Sequence, residues 1–215
     1  MVLTRRAYKS IVRWLPNEML SEVFGHLFGA DLLALCRTSR LINGLATPLL
    51  YRSIALSEIS AMEKFVFALR KHADSSMPLS RHVREFWVGI SDCSAMYAAL
   101  VDQISVAISS CPYLHTLTVL MPSTPLCDML REANFPNLHV LHYAVAPDIA
   151  SALPAFINRH QTITTLGMVW NGDHKEDFYL DPIRLINLES YLGDTFFPTS
   201  PHLRQDSSDH LYLFS

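Results

Sequence analysis

The segment Leu114-His115-Thr116-Leu117-Thr118-Val119 carries a spacing that returns three more times along the chain. It recurs as Val83-x-x-Phe86-x-Val88, Leu138-x-x-Leu141-x-Tyr143 and Ile163-x-x-Leu166-x-Met168, with starts 31, 24 and 25 residues apart. Apolar residues at every second position mark a half-buried strand, with the fourth and sixth positions of each copy sharing the buried face. By the same alternation Glu85 and Trp87, Thr116 and Thr118, Val140 and His142, and Thr165 and Gly167 point the other way. Between the copies lie helical candidates over 95–110, 125–133 and 147–160, the last expected to bend or divide at Pro154.

A strand and a helix repeated at 24 to 31 residues is the period of a leucine-rich repeat. No single unit buries its apolar face alone, so the expected architecture is α/β: a short, stacked solenoid of parallel strands with helical returns. The usual asparagine of such repeats would fall at Pro122, Ala146 and Asn171, so one position of three complies and the repeats are expected to be irregular. A further unit begins near Leu185 or Leu188, its register open. Upstream, 53–56 reads as a strand and 58–72 as a helix. The tail 198–215 shows no capping repeat.

Composition agrees with a binding protein. Half of the 215 residues are hydrophobic and only 17 % are charged, against roughly 25 % in ordinary domains, so part of the surface is expected to serve a partner. The net charge is −3, and Arg5, Arg6, Lys9 and Arg13 precede every acidic residue, leaving a mildly acidic body unsuited to nucleic acid. No secretory signal or membrane span is expected, which points to the cytoplasm or nucleus. Four cysteines without a Cys-x-x-Cys pair read as reduced thiols.

Ahead of the repeats, Leu15-Pro16-Asn17-Glu18-Met19-Leu20 opens an expected helix running to Phe28, with Gly25 inside it and Gly29 terminating it. Asp31 is placed to cap a second helix, and a third follows Thr38 or Ser39 until Pro48. The combination of Leu15-Pro16-x-Glu18-x-Leu20, Asp31-Leu32-Leu33-x-Leu35, Ser39-Arg40 and Leu49-Leu50-Tyr51-Arg52 resembles an F-box of the kind common in fungal proteins, over roughly 13–54. Leu41-Ile42-Asn43 stands where the commoner pattern has a tryptophan.

Together with the repeat spacing, the resemblance divides the chain into a basic segment 1–13, a three-helix F-box over 14–52, repeats over 53–197 and a tail over 198–215. It also implies a partner, the Skp-type linker of a cullin-based ubiquitin ligase, met by Leu15, Pro16, Glu18, Leu20, Val23, Phe24, Leu27, Leu32, Leu33 and Leu35. The outward residues Glu85, Trp87, Thr116, Thr118, Val140, His142 and Thr165 would then hold a protein substrate. An interaction module working outside a ligase fits the same residues, and recovery of a cullin distinguishes the two.

Enzyme chemistry finds no foothold. Seven glycines never lie closer than four apart, which excludes a Gly-x-Gly phosphate cradle, and no Gly-x-Ser-x-Gly elbow supports a hydrolase. His139 and His142 are three apart on a strand and point to opposite faces, and the acidic loop 171–177 lacks calcium-ligand spacing. No catalytic residue, metal or cofactor is expected.

Overall fold

Three short helices open the described chain, which in this computed structural model comprises residues 15–73, 77–89, 98–120, 126–145, 152–170 and 183–193. α1 (Asn17–Phe24) starts after Pro16, whose extended backbone serves as the N-cap and whose carbonyl accepts from the Leu20 N–H at 3.2 Å. Glu18 in the first turn complements the helix dipole. The helix ends at Gly25, four residues short of expectation, and Gly29 opens α2 (Gly29–Cys36) instead of closing α1. Phe28, not Asp31, is the N-cap of α2, and Asp31 lies in its first turn.

Ser39 caps α3 (Arg40–Leu50), its hydroxyl accepting from the Ile42 N–H at 3.3 Å. This helix runs through Pro48, where it had been expected to stop. Only the bond that residue 48 would donate to Gly44 is lost so near the end, and the Tyr51 N–H still reaches the Thr47 carbonyl at 3.1 Å. The three helices close on Leu20, Phe24, Leu32, Ile42 and Ala46, with Leu27, Leu35, Leu45, Leu49 and Leu50 packed around them.

The chain divides into two units between Ser53 and Ile54. The second is built on a sheet of β1 (Ser53–Leu56), β2 (Glu85–Val88), β3 (Thr116–Val119), β4 (Val140–Val145), β5 (Thr165–Trp170) and β6 (Ser190–Gly193), neighbours in space following their order in sequence. From β2 to β6 every pair is parallel. Parallel neighbours need a crossover. α4 (Ile59–Lys71), α5 (Ala98–Ser109), α6 (Leu126–Glu132) and α7 (Ala152–Arg159) provide it between the first five strands, each helix packing on the next.

Register turns the sequence motif into continuous rows. Phe86, Leu117, Leu141 and Leu166 are successive partners, as are Val88, Val119, Tyr143 and Met168, and all eight are buried. Each fully buried side chain of this size contributes about 1.5–3 kcal/mol. α4 packs on the first member of the first row, its Phe65 ring lying 5.5 Å from that of Phe86. Thr165 pairs with Ser190, which places Leu188 opposite Ile163 and settles the open register: Leu188-x-x-Tyr191-x-Gly193 is the fifth copy.

Two further regularities tie neighbouring units together. The carbonyls of Arg84, His115, His139 and Thr164 each accept two backbone N–H bonds from the next unit, at 2.7–3.1 Å. Three residues ahead of the motif start, Cys111, Phe135 and His160 occupy equivalent buried turns, a position that the sequence pattern had left unassigned. Pro154 neither bends nor divides α7. It is the third residue, where the backbone N–H has no acceptor within the helix. The asparagine positions 122, 146 and 171, the loop 171–177, the basic segment 1–13 and the tail 198–215 lie outside the described residues.

Candidate functional site

Two apolar-rich surfaces stand out, one on each unit. On the helical unit, Val23 is 59 % exposed and Phe28 81 %, and Leu15, Met19, Leu33 and Leu41 are also exposed. Six large apolar side chains facing solvent on a unit this small call for a second surface to cover them. α1 carries two adjacent stripes of spacing four: Leu20 and Phe24 turn into the core, while Met19 and Val23 remain outside.

Burial divides the expected contact set. Leu20, Phe24 and Leu32 are core residues with only 5–9 % of their surface exposed, and Leu27 and Leu35 are partly buried against them. Leu15, Pro16, Glu18, Val23 and Leu33 are exposed. Met19, Phe28 and Leu41 join them, missed because apolar periodicity alone does not say which of two neighbouring stripes on a short helix turns inward.

On the second unit the outward strand positions form rows across the sheet. Glu85, Thr116, Val140, Thr165 and Ser190 are successive partners, and so are Trp87, Thr118, His142, Gly167 and Leu192. Glu85 is exposed, and Trp87, Thr116, Val140, His142 and Thr165 are half-buried. Thr118 departs from expectation: at 8 % exposure it lies too deep between its neighbours to be a principal contact. The second row is flattened by its glycine, since a Cβ on Gly167 would clash with the His142 ring. Desolvation by its surroundings lowers the His142 pKa from the ordinary 6.5.

The rows hold no reactive constellation. Among the described residues no group of three or more His, Cys, Asp or Glu is placed to hold a metal ion. The His115 and His139 rings meet edge to face at 5.7 Å, and His139 Nδ1 bonds the Asn137 carbonyl at 2.6 Å. Cys111 is buried, its S–H donating to the Ala107 carbonyl at 3.3 Å, and burial pushes its thiol pKa up to about 12. Such a thiol is inert. Alkylation of Cys111 in the native chain at pH 8 is expected to be at least about 100-fold slower than in denaturant, which peptide mass spectrometry after timed quenching would measure. Equal rates would mean that the turn before β3 opens readily.

No helix among the described residues is long and apolar enough to cross a membrane. Residues 13–57 match the family described as F-box-like. Over 49 residues the chain is 43 % identical to the F-box protein DAS1 of Saccharomyces cerevisiae, an alignment covering 23 % of this chain and 7 % of the yeast protein.

Proposed function

We propose that this chain is a substrate-recruiting adaptor of a Skp–cullin–F-box type ubiquitin ligase, its helical unit docking on the Skp-type linker and its strand face holding the protein to be modified. The observation that carries the reading is the coincidence of an F-box-like match over 13–57 with exposed Leu15, Val23, Phe28 and Leu33 on or beside helices that already close their own core. A second surface is needed by those side chains and not by the fold. In this reading the strand–helix units are irregular leucine-rich repeats, a stacked arrangement suited to display rather than chemistry. The chain makes and breaks no bond; it raises the effective concentration of a substrate lysine near the ligase's conjugating enzyme.

Affinity capture of the full chain tests this. Wild-type chain should recover both linker and cullin, whereas recovery of linker without cullin would favour an interaction module outside a ligase. Joint Leu15→Ala and Pro16→Ala should abolish capture, since loss of an anchor worth at least about 2 kcal/mol weakens binding roughly 30-fold. Pro16 also sets the entry to α1, so Val23→Asp, a fully outward change, serves as the second variant. Capture of linker at wild-type level by both variants would overturn the assignment.

A further inference from the structure

The outward face of the sheet is nearly devoid of charge. Of the outward strand positions from β2 to β6, Glu85 alone carries a formal charge. It is exposed, and its carboxylate has no ion pair or hydrogen bond among the described residues. Trp87 follows two residues later on the same face, about 6.6 Å along the strand. Its ring lies over Gly89, where a Cβ would come within 2.7 Å of it. The ring thus leans toward Gly89 and away from Glu85, so the carboxylate supplies the charge that attracts a cation and the indole offers apolar surface to the cation's alkyl stem.

Away from that corner the face turns apolar. Val169 is 55 % exposed, Leu192 52 % and Leu120 38 %, on or next to β5, β6 and β3. From β2 to β6 the strip crosses four strand spacings, about 19 Å, the length of roughly six extended residues. Neither lysine nor arginine points outward from these strands, so a phosphate would meet Glu85 and no partner.

We propose that this face binds an unphosphorylated segment of the recruited protein in which one lysine or arginine is flanked by apolar side chains. The cation meets Glu85, its alkyl stem lies along Trp87, and the apolar part lies across Leu120, Val169 and Leu192. The inference rests on the reading of this face as the substrate-holding surface and adds the chemistry of what it holds.

A random peptide library displayed on phage, panned against the full chain, tests it. Enriched sequences should place lysine or arginine at one fixed position with apolar residues beside it. A synthetic peptide of the enriched sequence, followed by fluorescence anisotropy, should lose about tenfold in affinity on Glu85→Gln and on Trp87→Leu. Panning against Glu85→Lys should select aspartate or glutamate at the same position. Absence of any enriched motif, a preference for acidic residues by the wild type, or a motif indifferent to Glu85→Lys would overturn the proposal. So would a dimer in light scattering that Val169→Asp dissociates, because a second copy would then cover the strip. Linker capture measured on the same preparation separates the two ideas. A chain that captures linker but selects no basic motif loses this inference alone, and one that selects the motif without capturing linker loses the adaptor reading alone.

Discussion

Replacing His160 by alanine is expected to cost about 3–5 kcal/mol of stability, because two buried polar groups lose their partner at once and a cavity opens beside two phenyl rings. His160 Nε2 accepts from the Phe135 N–H at 2.9 Å, and Nδ1–H donates to the Phe156 carbonyl at 2.7 Å. Its ring stacks 4.1 Å from that of Phe156, with Phe135 at 6.0 Å. Only a neutral imidazole protonated on Nδ1 makes both bonds; a second proton would set Nε2–H against the Phe135 N–H. Desolvation by burial, reinforced by the nearby Arg159, lowers the His160 pKa below 6.5 despite the opposing bond to Phe156.

The direction of the pH dependence follows. Above about pH 7 folded and unfolded chains both hold His160 neutral. Below about 6.5 the unfolded chain takes up a proton that the folded one refuses, so stability falls as pH falls, by up to about 1.4 kcal/mol per pH unit for each such histidine. His142 and His82 are lowered in the same sense, by desolvation and, for His82, also by Arg84. Urea denaturation at pH 7.5 and 5.5 measures both effects. The wild type should lose stability at the lower pH, and His160→Ala should start lower and lose less. An alanine variant as stable as the wild type would mean that the turns before β4 and β5 are not joined through this ring.

Legibility of the fold in the sequence depended on how each residue is used. The strands were readable because Leu117, Leu141 and Leu166 recur at one offset and are buried on the same side. His160 was not, because a histidine fills a turn position that Cys111 and Phe135 occupy in the neighbouring units. Residue type varies there while the buried turn stays constant, so a pattern of apolar letters passes over it. Helix ends were misplaced at Gly25 and Gly29 for a related reason: both glycines suit an end, and only the packing of Phe24 into the core places the break before Gly25. The contact residues of the helical unit were legible as apolar, but burial divided them in a way that letter order does not encode.

Adjacent residues on β2 are expected to behave oppositely, and the contrast tests the register of the whole sheet. Phe86 is 1 % exposed and lies in the row with Leu117, Leu141 and Leu166, its ring against Phe65 of α4. Phe86→Ala should therefore destabilise the chain by about 3–5 kcal/mol. Trp87 is half-buried on the other face, beside Thr118 and in one row with His142. Joint Trp87→Ala and His142→Ala should leave a folded chain that still captures the linker while losing the recruited protein. Thermal melting of both variants, with paired co-precipitation of linker and recruited protein by the double one, reads the result. A one-residue slip of β2 would exchange the faces of every side chain on it. The tryptophan variant would then unfold and the phenylalanine variant would not, and the outward rows would take Phe86 in place of Trp87 on β2.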